Sequence, residues 1–308
     1  MDFTNTLINV LVLMALAVPG YILKKTKKLD DNASKYLVNI IFYVCQPMIV
    51  LSSFQKTGYT GDMLLNMLWS FLIGFAGIAA VGIAAMFLTK KFVKDDGRAR
   101  IISYGAAFGN VAFMGIPVVS MLLPDNPEAI IYLTVLTVAF NMLSWTLGAF
   151  IMSGKKEYIT LKKAFFNPPT LAVFVALPLF FLSVSLDVRL VKGIGYLGDM
   201  VTPLSMTVLG MRFADIKLKE IFGDPSVYAV CFIKLVAVPA VLYVFLRIFD
   251  FDPILEITMF IIFLMPCANN LLLFAEHFDG DKSAAAKAVL ASTVLSVGTI
   301  SLMLLLPL

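Results

Sequence analysis

Runs of about twenty almost uninterrupted apolar positions alternate with short polar connections along the chain. Ten are legible: 5–23, 35–54, 64–88, 101–122, 129–152, 169–186, 196–213, 226–249, 256–278 and 284–308. A hydrocarbon core about 30 Å thick takes about 20 apolar residues per helix, so runs of this length can cross it. Backbone groups in hydrocarbon must be paired within one helix or around a closed barrel. The runs are continuous rather than alternating, which rejects the barrel. The pattern predicts an all-α polytopic membrane protein with ten transmembrane helices.

Composition points the same way. Of 308 residues, 60% are hydrophobic and 14% charged, whereas a soluble domain has about 25% charged residues. A chain this apolar expects a lipid bilayer around it. The net charge of +4 is loop charge, and no nucleic-acid partner is expected. Cys45, Cys231 and Cys267 lie inside apolar runs and give neither a disulfide framework nor zinc-ligand spacing. They read as small apolar packers, and no metal or other cofactor is expected.

The basic residues set the expected orientation. Alternate connections carry Lys24, Lys25, Lys27, Lys28 and Lys35; Lys90, Lys91, Lys94, Arg98 and Arg100; Lys155, Lys156, Lys162 and Lys163; Arg212, Lys217 and Lys219; Lys282 and Lys287. The opposite side holds only Lys56, Arg189, Lys192 and Arg247. Both termini are therefore expected outside the cytoplasm. The first run has its basic cluster after it, unlike a cleaved signal peptide.

A shift of about 156 residues lays runs two to five on runs seven to ten. It places Pro47 on Pro203, Thr137 on Thr293 and Asn110 on Pro266. Five spans per half is an odd number, so residues 1–154 and 155–308 are expected to form two inverted five-helix repeats. Repeats of this kind mark secondary transporters, with the site at the midplane between the halves.

Two runs are interrupted. Span 4 contains GNVAFMGIP (109–117) and span 9 contains MPCANNLLLF (265–274). Proline removes a backbone donor and clashes with the preceding turn, and glycine adds freedom nearby. At about 1.5 Å rise per residue, Asn110 and Pro266 each lie roughly 15 Å from the start of their span, close to mid-membrane. Each break exposes the N-terminal end of a second half-helix, with free N–H groups and about half a positive charge. Two such ends meeting form an anion pocket. Asn110, Asn269 and Asn270 add amide groups to it.

The string NVAFMGIP resembles the span 4 signature of the auxin efflux carrier superfamily, which includes plant PIN-formed exporters and bacterial malate and malonate permeases. The likeness continues through Pro47, Asn167-Pro168, Pro203, Gly210, LMPCANNLLLFAEHF and Pro307, nearly the whole chain. The resemblance implies a fold like that of sodium/proton antiporters and bile-acid symporters. In it spans 1, 2, 6 and 7 form a scaffold, spans 3–5 and 8–10 move, and the broken spans 4 and 9 cross at a bound carboxylate. Asn110, Pro117 and Pro266 carry over as site residues, and Gly115 of the same string is a further site candidate. A homodimer and a bacterial inner-membrane location are also implied. Leu271 stands where plant members have a second proline, and their long cytoplasmic loop is reduced here to about 153–168. Auxin itself is not carried over.

Other residues complete the expectations. Lys234 is the only basic residue deep in a span, and an intramembrane charge is a functional candidate that can also snorkel. Its functional role would be to neutralise a second carboxylate or replace a coupling cation. Asp199 reads as a hydrated interfacial acid rather than a proton- or sodium-coupling group. Thr134, Thr137, Asn141 and Ser144 on span 5, echoed by Ser292, Ser296 and Thr299 on span 10, read as interhelical hydrogen-bond glue. Asn141 is also a site candidate. Glu276, His277 and Asp279 read as solvated. The sequence thus predicts an alternating-access carrier of small organic anions. The alternatives are a sodium-coupled organic-anion symporter and a ligand sensor that moves nothing. An enzyme is not expected, because no nucleophile–base pair or metal cluster lies at membrane depth.

Overall fold

The computed structural model describes residues 3–30, 32–214, 224–278 and 280–307. Lys217, Lys219 and Asp279 lie outside these. The described residues are helical, with no strand longer than a single bridge. In chain order the helices are α1 (Thr4–Lys25), α2 (Ala33–Lys56), α3 (Gly61–Phe92), α4 (Asp96–Ala107), α5 (Val111–Leu122), α6 (Pro127–Ser153) and α7 (Leu161–Phe165). There follow α8 (Pro168–Phe181), α9 (Val188–Asp199), α10 (Val201–Ala214), α11 (Pro225–Ile248), α12 (Pro253–Phe263), α13 (Asn270–His277) and α14 (Lys282–Met303). Six of them, α1, α2, α3, α6, α11 and α14, are long and apolar enough to cross a membrane. Their outward faces carry bare large side chains such as Tyr43, Phe87 and Val241. That is how a helix looks when lipid is its solvent. The protein is a polytopic membrane protein.

Polar side chains at the helix starts satisfy N–H groups that the helix cannot bond internally. Thr60 accepts from Met63, Asp95 from Arg98, Asn167 from Thr170, Asp252 from Ile254 and Leu255, and Asp281 from Ala284. Proline shapes the interiors. The turns Ile41–Cys45, Val111–Gly115 and Ile233–Ala237 are all widened, and each ends two residues before Pro47, Pro117 or Pro239. A proline ring clashes with the carbonyl four residues back, and widening the turn by one residue relieves the clash.

Two groups of helices carry the most extensive packing. One joins α1 to α10 and α2 to α8 and α9; the other joins α3 to α4 and α6, and α11 to α4 and α14. The tightest approach lies between α1 and α10. A β-carbon on Gly20 would collide with the Thr207 carbonyl, and one on Gly210 with the Ala17 carbonyl. Only glycine permits this backbone contact.

Helix α9 is an addition to the sequence reading, which begins the seventh span at residue 196. It starts earlier because the Asp187 carboxylate caps it by accepting from Arg189 N–H at 2.8 Å. The threonines also depart from expectation. Thr134 and Thr137 donate to the carbonyls of Ile130 and Leu133 four residues back, and Ser296 donates to Thr293 within its own helix. Short hydroxyls reach their own helix backbone more readily than a neighbour's. Ser144 and Ser292, by contrast, do bond across helices.

Candidate functional site

Helix α4 stops at Ala107 and α5 starts at Val111; helix α12 stops at Phe263 and α13 starts at Asn270. The two gaps cross each other. Gly109 and Cys267 form an antiparallel bridge, in which Asn110 N–H donates to the Pro266 carbonyl at 2.7 Å and Ala268 N–H to the Phe108 carbonyl at 2.8 Å. Asn110 and Pro266, singled out from the sequence, therefore bond to each other through their main chains.

Several other backbone groups at the crossing are also paired. The Asn110 carbonyl accepts from Met114 and Gly115, and Val111 N–H donates to the Gly109 carbonyl. Cys267 N–H donates to Ser292 Oγ on α14 at 3.1 Å, and the Cys267 thiol donates to the Gly105 carbonyl. An unpaired backbone group in hydrocarbon costs several kcal/mol, so irregular chain survives here only because it is paired. On one side Lys234 on α11 closes the account. It is 2% exposed, and its ammonium donates to the carbonyl of Phe263, the last residue of α12, at 3.4 Å. A helix C-terminus is electronegative, and a cation there is stabilising.

On the other side the first turns of α5 and α13 face a cavity of about 440 Å³. Ala112 and Phe113 line it from the start of α5, and Asn269 and Asn270 from the start of α13. The Val111, Leu271 and Leu272 N–H groups already bond the Gly109, Ala268 and Asn269 carbonyls, so what each end brings to the space is its electropositive dipole and its remaining first-turn N–H groups. Trp145, Phe140 and Phe274 form an aromatic wall, with Phe274 packed edge-on to Trp145 at 5.2 Å. Arg212, Lys163 and His277 also reach the lining, whereas no Asp or Glu among the described residues does.

A profile of the family described as "Membrane transport protein" matches residues 2–304. The chain belongs to the auxin efflux carrier family of membrane transport proteins. A curated relative from Methanocaldococcus jannaschii, described as an uncharacterized transporter, is 24% identical over 300 residues. The match covers 95% of this chain and 96% of the relative. Membership of a transporter family, rather than an enzyme family, agrees with the expected absence of catalysis.

In this family member the sequence-derived candidates separate into two sets. Asn110, Asn141, Asn269 and Asn270 line the cavity. Asn141 is occupied there: its amide donates to Asn167 Oδ1 at 3.2 Å and approaches Thr170 Oγ at 3.4 Å. Asn270 reaches Ser144 Oγ at 3.5 Å, and Ser144 bonds Tyr104. Pro266, Gly115, Pro117 and Lys234 stand outside the lining. The first three shape the backbone and the last supports it from behind. Pro47 follows the widened turn of α2, and Pro203 lies in the first turn of α10. Asp199 is exposed at the end of α9.

Among the lining residues that the sequence reading missed, two are polar and carry unmet hydrogen-bonding capacity. Arg212, in the last turn of α10, looked like loop charge; Gln46 is overshadowed by Pro47. Both have a nitrogen with no hydrogen-bond partner, Arg212 Nη1 and Gln46 Nε2. The available signal was a basic residue on the last helical turn rather than beyond it.

Proposed function

We propose that the protein is a secondary carrier of small organic anions, with a carboxylate held where the two interrupted helices cross and moved by alternating access. One observation carries this reading. Two half-helices present their electropositive first turns to a common cavity whose described lining contains cations and no carboxylate. Preorganised N–H donors and helix dipoles bind an anion without a dedicated basic side chain. Family membership supports transport of a solute across a membrane.

The ten-span, inverted-repeat organisation belongs to this proposal. So does a division into a scaffold of spans 1, 2, 6 and 7 and a mobile part, which the two groups of extensively packed helices support. On the expected orientation, Lys163, Arg212 and His277 place the mouth of the cavity at the cytoplasmic face, an inward-open arrangement. A homodimer in the cell membrane is proposed from family resemblance alone. The sodium-coupled alternative needs acidic and carbonyl oxygens around a cation, and the described lining supplies no acid.

The test is uptake and exchange of labelled mono- and dicarboxylates by the purified chain in liposomes. Wild-type vesicles accumulate at least one such acid. Asn110→Ala, expressed and folded to the same level, transports it more than tenfold more slowly. Undiminished transport by that variant removes the crossing from the substrate site.

A further inference from the structure

The gap between α12 and α13 has an electronegative side as well as an electropositive one. On that side α12 ends at Phe263, and the chain runs on through Leu264, Met265 and Pro266. The Pro266 carbonyl is taken by Asn110 N–H, and the Phe263 carbonyl by the Lys234 ammonium. The Leu264 and Met265 carbonyls accept no hydrogen bond from a described residue. Carbonyls at the C-terminal end of a broken membrane helix are where secondary carriers hold a coupling cation.

Lys234 stands in that place. A β-carbon on Gly109 would lie 3.0 Å from its Nζ and 3.4 Å from the Met265 carbonyl oxygen, so ammonium and carbonyl border one small space. The ammonium also lies over the Phe263 ring, 5.8 Å from its centroid. An ammonium has three N–H donors, and among the described residues only the Phe263 carbonyl takes one. No ion pair within 4 Å joins Lys234 to a described acid. A lysine serving only as packing would snorkel its head toward an interface. This one stays on the carbonyls, 2% exposed.

We propose that the carbonyl end of α12 is a monovalent-cation site and that Lys234 fills it with a tethered ammonium. Removing the ammonium uncovers the site, which then takes Na+ or a small alkylammonium ion. The widened turn Ile233–Ala237 that carries Lys234 packs against α4 and α14, on either side of the crossing. Under alternating access the ammonium therefore travels with the crossing. A free cation is released in each cycle and ties its own gradient to transport. A tethered one returns with the empty site and ties nothing to it. This consequence for coupling rests on the carrier reading above; the cation site itself does not.

The experiment follows the melting temperature of the full chain in detergent and, separately, carboxylate flux in liposomes, with N-methylglucamine as the reference cation. Wild type responds to neither Na+ nor propylammonium in either assay. Lys234→Ala melts lower, and Na+ or propylammonium, which restores the deleted atoms, raises it again by roughly 2 °C or more through binding to the folded state. Lys234→Met fills the space with hydrocarbon and responds to neither cation. A merely structural lysine would leave Lys234→Ala equally unstable in all three cations, and that result overturns the proposal. If Lys234→Ala does not fold in N-methylglucamine, its recovery in Na+ or propylammonium supports the site, and failure in all three cations overturns it. In liposomes, Lys234→Ala flux rises more than about tenfold with Na+ or propylammonium, whereas wild-type flux ignores a Na+ gradient. Na+-driven flux in wild type overturns the tethered cation and leaves the carrier reading in place. If wild type moves no carboxylate, the carrier reading fails, and the melting temperatures still decide the cation site.

Discussion

Two cations stand near the crossing, Lys234 buried and Arg212 half-buried, and their surroundings are opposite. Lys234 stands behind it, 2% exposed, with its ammonium on the carbonyl end of α12 and close enough to Gly109 that a β-carbon there would lie 3.0 Å from Nζ. Arg212 stands in front, on the cavity, with a guanidinium nitrogen that no described residue bonds. Helix polarity explains the difference. An interrupted helix has an electronegative end on one side of the gap and an electropositive start on the other. A cation beside the first is already neutralised by protein, whereas a cation beside the second is repelled by it and awaits an anion. Burial of a charge in a membrane therefore does not mark a binding site; what marks it is burial with hydrogen-bonding capacity left over.

The sharpest way to break this contrast is stability. Lys234→Met removes the compensation of buried carbonyls, which for a charged hydrogen bond is worth about 2 kcal/mol. The melting temperature in detergent should fall by roughly 3–5 °C. Arg212→Gln should not lower it, because an unpaired cation facing electropositive helix starts stabilises nothing without ligand. Equal losses in the two variants would mean that both cations are structural.

Ser292→Ala tests a weaker support of the same crossing. It leaves Cys267 N–H without its acceptor, and a loss of about 1 kcal/mol is expected by thermal unfolding. A variant as stable as wild type would show that the break does not depend on α14 for its pairing.

The smallest effect concerns a cation at the surface. Arg98 pairs with Asp224, the capping residue of α11, at 3.4 Å. Burial by itself would raise the Asp224 carboxyl. Hydrogen bonds from Ser226 Oγ and N–H and the charges of Arg98 and Lys287 outweigh it and hold the group below its ordinary value. The folded state thus favours the ionised form. That stabilisation is present above the ordinary carboxylate value and is lost as pH falls through the depressed folded-state value. Asp224→Asn should cost less than about 1 kcal/mol at pH 7. Its difference from wild type should close in melting curves taken toward pH 3. A difference independent of pH would assign the effect to capping geometry instead of charge.

Much of the crossing was legible beforehand because proline and glycine act on their own stretch of chain. Asn110 and Pro266 sit in the gaps that GNVAFMGIP and MPCANN suggest, and the asparagines of both strings reach the cavity. Asn141 was legible as a deep polar residue, but its engagement by Asn167 and Thr170 depends on α8 arriving beside α6. Arg212 was read as loop charge because its local setting, the end of an apolar run, is the same as that of many topological lysines. Lys234 was conspicuous for its depth, yet which end of which helix it would meet was open.

The chain by itself determined the membrane as solvent, the helical form of its apolar runs and the places where two helices must break. These follow from local chemistry: hydrocarbon demands internally paired backbone, and proline denies that pairing at fixed positions. Only the tertiary structure decided that the gaps pair with each other, that Lys234 meets a carbonyl end, and that Arg212 faces the cavity unpaired. The reason is that the fate of a charge depends on the polarity of the helix ends brought to it from elsewhere in the chain, and residues distant in sequence carry no local record of that meeting.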